Sequence, residues 1–130
     1  MGINERRKIK ELQDTTLPAR VLEIEEICGK AIPYEVDWDS LANDAEGLNF
    51  LDNLSCHRLN MALRTICVDD LGKEAVREGL RLVRLRNTKD KADMHMTFAD
   101  GVLEMQCAYA LRTEGMFRDG EIRALLLKSL

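Results

Sequence analysis

The chain has 130 residues, 45% of them hydrophobic and 32% charged, with 19 Lys and Arg against 23 Asp and Glu for a formal net charge of −4. That length supports one domain with a core of its own, and the apolar share excludes a wholly disordered chain. The acidic balance excludes a dedicated duplex-DNA binder, and no run approaches the roughly 18 apolar residues of a membrane helix.

Residues 1–14 read as a charged helical lead-in, prone to fraying, to a single domain over 15–130. Thr15 and Thr16 form a break, with Thr16 placed to cap a new helix and Pro18 in its first turn. Leu17, Val21, Ile24 and Cys28 then recur on one helical stripe, which predicts a helix over 17–28 stopped by Gly29. Alternation of Tyr34, Val36 and Trp38 with polar neighbours predicts a strand at 32–38, with Pro33 marking it as an edge. Asp39 is a candidate cap for a short helix at 40–45, ending at Gly47.

The longest helix is predicted at 48–67. It places Asn53, His57, Asn60 and Arg64 on a narrow polar stripe with apolar residues on both flanks. Asp69 or Asp70 caps a further helix at 70–78. Residues 80–87 read as a strand. Asp100-Gly101 signals a two-residue type I′ turn between strands at 94–98 and 102–110. That turn pairs Phe98 with Leu103, Met96 with Met105, His95 with Gln106 and Thr97 with Glu104. A last helix spans 119–129, with Asp119 as its cap. Helices and strands do not alternate regularly, so the expected class is α+β. The expected sheet is an antiparallel meander of 80–87, 94–98 and 102–110, with 32–38 at an edge.

The chemistry-bearing residues are sparse. Cys28, Cys56, Cys67 and Cys107 contain no CxxC pair, and each falls on an apolar face, so they are expected to be reduced and buried in a cytoplasmic protein. The N-terminal residues lack a long apolar segment, so no secretory signal is expected. Cys56 and His57 are adjacent on a helix and point about 100° apart, which rules out a catalytic dyad from that pair. The two histidines share no metal-ligand spacing, Asp37 and Asp39 end a strand and cap a helix, and Gly72-Lys73 lacks the rest of a phosphate loop. No catalytic residue, metal site or cofactor is expected. The three methionines at 94, 96 and 105 are read as core.

Charge is segregated along the chain. Residues 23–52 hold nine acids and only Lys30 as a base, while residues 73–91 hold seven bases and three acids. Arg84 and Arg86 should share the wet sheet face with His95 and Glu104, a surface able to meet an anion or an acidic partner. The expected function is therefore a non-enzymatic domain that binds a protein partner or a second copy of itself, without membrane or duplex DNA. The rival expectation is a small-ligand or anion-binding domain, or a small enzyme, built on Asn53, His57, Asn60 and Arg64.

Overall fold

The structure, a computed structural model, describes residues 2–130; Met1, at the start of the charged lead-in, lies outside the described residues. Helix α1 covers residues 3–28 without interruption: α-helical turns at Ile3–Glu11 and Leu17–Cys28 flank a π-helical turn at Leu12–Thr16. The expected break at Thr15 and Thr16 is absent. Thr16 has helical φ and ψ of −68° and −52° and caps nothing. The lead-in stays helical because Leu12 is buried in the core, so tertiary packing overrides weak local caps. Gly29, at φ 89°, ends the helix in the left-handed conformation that glycine adopts without strain.

A second long helix, α2, covers residues 45–66 and contains its own π-helical turn at Asp52–Cys56. The Asp44 carboxylate accepts from Gly47 N–H at 2.8 Å and starts it, so Gly47 lies inside this helix instead of ending the one before. The short preceding turn is a 3₁₀ segment, Trp38–Leu41, capped by Asp37 and not Asp39. Helices α1 and α2 pack side by side in parallel, residues 3–11 against 45–51 and 17–28 against 57–66. Helix α3, Asp70–Gly79, starts where Asp69 accepts from Gly72 N–H at 2.8 Å. Helix α4, Asp119–Ser129, packs on α2; at its start Glu121 accepts from Arg118 N–H, so the cap is Arg118 and not Asp119.

Four strands form one sheet: β1 Tyr34–Val36, β2 Leu82–Asn87, β3 His95–Ala99 and β4 Val102–Cys107, in the order β1-β2-β4-β3. The class is α+β. The hairpin register is as expected, with Met96 opposite Met105 and Phe98 opposite Leu103, and the turn residues Asp100 and Gly101 have φ of 53° and 78°. The sheet is nevertheless mixed, not an antiparallel meander. β1 on β2 and β2 on β4 are parallel, and only β3 on β4 is antiparallel. The reason is burial. β2 and β4 each bury alternate residues completely, whereas β3 buries none fully. β2 and β4, whose inward-facing residues are buried, take the centre, and β3, with no fully buried residue, takes the edge while carrying the chain back to start β4.

Val83, Leu85, Leu103, Met105 and Cys107 face the helices and join Ile24, Leu51, Leu59, Leu63, Ile122 and Leu126 in one core. All four cysteines are free and buried there. No helix among the described residues is long and apolar enough to cross a membrane.

Candidate functional site

The polar stripe of α2 is split by the fold. Asn60 is buried, His57 is half-buried, and Asn53 and Arg64 are exposed. The π turn at Asp52–Cys56 sets Asn53 off from the rest, whereas His57, Asn60 and Arg64 follow on one regular helix and differ in burial by their neighbours. An i→i+5 turn advances each residue by less than the α-helical angle of about 100°, so Asn53 rotates away from the line through His57 and Asn60.

Asn60 instead completes a network between α1, α2 and β1. Its amide donates to Glu23 Oε1 at 2.7 Å and to the Arg20 carbonyl at 3.2 Å, and its Oδ1 accepts from the Tyr34 hydroxyl at 2.7 Å. That hydroxyl also lies 3.3 Å from the Cys56 carbonyl, at the end of the π turn. Arg20 holds Asp52 with two bonds of 2.8 and 3.0 Å and reaches Glu23 at 3.2 Å; Arg64 approaches Glu23 at 3.7 Å. Burial alone would push the Glu23 carboxyl up, but Asn60 and Arg20 outweigh it and hold the carboxyl below its usual range. The paired carboxylates hold the Arg20 guanidinium charged, and burial pushes the Tyr34 hydroxyl well up. A buried polar group needs partners, and here the chain supplies Asn60 with all of them. Arg20, Glu23, Tyr34 and Asp52 were not among the site residues expected from the sequence. The available signal was Arg20 itself, the only base among five acids in residues 11–26.

The wet sheet face does gather Arg84, Arg86, His95 and Glu104. Arg84 pairs with Glu35 at 2.9 Å, Arg86 with Asp37 at 3.2 Å, and His95 Nε2 lies 3.5 Å from Glu104. The register sets Arg84 between Glu35 and Glu104, so two carboxylate strands flank its strand. The acidic and basic segments therefore meet within the fold through β1–β2 pairing. Arg84 donates a hydrogen bond to Glu35, whereas Arg86 only approaches Asp37, its buried Nε making no hydrogen bond; exposed pairs of this kind are worth little individually.

Two further surfaces stand out. A groove of about 430 Å³ runs between α1 and β1, walled by Gln13, Leu17, Pro18 and Val21 on one side and Pro33, Tyr34, Val36 and Trp38 on the other. A hollow of about 260 Å³ lies between α3 and α4, lined by Ile66, Leu71, Ala75, Leu127 and Leu130 with Asp69 and Gly72. Leu71 is 77% exposed and Leu127 60%, and Val68, in the turn before α3, is 77% exposed. Phe50 and Met61 are half-buried, and Arg112 covers the Phe50 ring at 5.1 Å.

Burial pushes the Cys56 and Cys107 thiols up, and Cys67 up to about 11, so none is poised as a nucleophile. Among the described residues no three His, Cys, Asp or Glu side chains are placed together to hold a metal. No protein-family model matches the chain, and neither the curated proteins nor the solved structures contain a match.

Proposed function

We propose that the chain is a non-enzymatic binding domain that pairs with a second copy of itself through the face formed by α3 and α4. The carrying observation is the exposure of Leu71 and Leu127 around one apolar hollow, with Val68 in the adjoining turn. Large exposed apolar side chains gathered at one place mark association surfaces. Charge supports a copy of the same chain as the occupant. Asp70 and Glu74 on α3, and Lys73 and Lys128 beside them on α3 and α4, have no ion-pair partner among the described residues. A two-fold interface uses the same patch twice, so a patch with both signs complements itself. Four buried, free cysteines suit the reducing cytoplasm, and the net negative charge favours protein over duplex DNA as partner.

Burying a leucine contributes roughly 1.5–3 kcal/mol, so loss of one such contact weakens a dimer by about tenfold or more. Sedimentation equilibrium should give a dimer for the native chain and a monomer for Leu71→Glu and Leu127→Glu, with unchanged circular dichroism. A native chain that stays monomeric at about 100 µM removes the proposal.

A further inference from the structure

The groove between α1 and β1 has a free strand edge along one wall. Val83 N–H donates to the Pro33 carbonyl at 3.0 Å and Asp37 N–H donates to the Leu85 carbonyl at 2.9 Å. Residues 33, 35 and 37 therefore turn their main-chain groups toward β2. The direction alternates along a strand, so Tyr34 and Val36 turn theirs outward, away from the sheet. β1 is the terminal strand, and no hydrogen bond to those outward groups is found among the described residues. Pro33 does not blunt this edge, because the N–H it lacks belongs to the side facing β2.

The surroundings are acidic. Residues 11–26 and 33–39, the segments that supply the groove's walls, carry eight acids and one base; Glu11, Asp14, Glu23, Glu35 and Asp37 are held in ion pairs, which leaves Glu25, Glu26 and Asp39 unpaired among the described residues. That base, Arg20, is already held by Asp52 and Glu23. Glu25, one turn beyond Val21, and Asp39, next to Trp38, are exposed and have no ion-pair partner among the described residues. β1 of a second copy would bring a second acidic edge to this one, so self-pairing is disfavoured here.

We propose that this groove receives an extended, basic segment of a partner protein, which lies beside β1 as a fifth strand. Strand addition supplies main-chain hydrogen bonds, and alternate side chains supply selectivity. Apolar side chains of the segment would meet Tyr34, Val36 and Trp38, and the alternate lysines or arginines would lie on the wet face beside Glu35 and Asp37, sharing those carboxylates with Arg84 and Arg86, with unpaired Asp39 at the end of the strand. The groove is separate from the α3–α4 face, so this binding stands whether or not the chain dimerises.

Trp38 is the chain's only tryptophan and lines the groove, which makes its fluorescence a direct reporter. Three end-blocked synthetic heptapeptides serve as probes: alternating lysine and valine, alternating glutamate and valine, and the lysine peptide with alternate amides N-methylated. The lysine peptide should give a saturable Trp38 shift, and the other two should bind at least about tenfold more weakly. Val21→Lys should cost the lysine peptide a similar factor; Pro18→Lys, at an exposed groove position, gives the same reading should Val21→Lys misfold. No shift by about 1 mM lysine peptide overturns the proposal. So does equal binding of the glutamate peptide, or equal binding of the N-methylated one.

Discussion

Arg112 sits at φ 60° and ψ −131°, a conformation foreign to residues with a Cβ, inside the 3₁₀ segment Tyr109–Gly115. Its side chain offsets part of that strain by stacking on Phe50 at 5.1 Å and approaching Glu46 at 3.8 Å. Such strain is of order 1–3 kcal/mol, and an exposed ion pair contributes about 0–1 kcal/mol. Arg112→Gly should therefore be more stable than Arg112→Ala by about 1 kcal/mol in urea unfolding, although both lose the same side-chain contacts. Equal stabilities for the two variants would show that the backbone there is relaxed. Nothing in the local sequence announces this position. Turn propensity favours glycine, and here the loop around the arginine is closed by Ala108 N–H, which donates to the Gly115 carbonyl at 2.9 Å. The fit at Gly115 is tight: a Cβ there would fall 1.7 Å from the Ala108 carbonyl oxygen.

At the scale of elements, the two long helices are held by the network at Asn60. Because the Glu23 carboxyl is lowered in the fold, the unfolded chain binds more protons over the interval between the two pKa values. The stabilisation is complete above the ordinary glutamate value of about 4.3 and is lost as pH falls through the lower folded value. Glu23→Gln should thus be less stable than the native chain at pH 7, and the gap should close as the solution is acidified below that range. Urea unfolding across pH checks it; a gap that stays constant would mean Glu23 acts through packing and not through charge. Element positions were partly legible in the sequence: the helices at 70–78 and 119–129, the end of the first helix at Gly29, and the hairpin register, but not the continuity of that first helix through Thr15 and Thr16. Each has a local cause, a stripe, a cap or an Asp-Gly turn. The π turns were not legible. A π turn inserts one residue without changing composition, and each of these holds a buried residue, Leu12 in one and Cys56 in the other. The same shift hid the fate of Asn53, since a stripe drawn with a constant angle crosses the π turn unbroken; His57, Asn60 and Arg64 lie beyond it, and their burial depends on partners far away in sequence.

For the molecule as a whole, the four thiols report on global integrity. Cys28, Cys56 and Cys107 have no exposure and Cys67 only 6%, with Cys67 pushed up to about 11 by burial. The native chain should react with a thiol reagent orders of magnitude more slowly than the urea-unfolded chain, Cys67 first, and all four should titrate once unfolded. Rapid native labelling of Cys56 or Cys107 would contradict the packed core.

The net charge of −4 and its segregation into an acidic and a basic segment are properties of the sequence, as are the hairpin register, the Gly29 stop and the extents of the helices at 70–79 and 119–129, because each depends on neighbours a few residues apart. Strand order, the parallel pairing of β1 with β2, and the capture of Arg84 and Arg86 by Glu35 and Asp37 were decided only by tertiary structure. Those choices join residues about 50 positions apart, and they follow from which strands bury the most apolar surface together, a quantity that no local pattern contains.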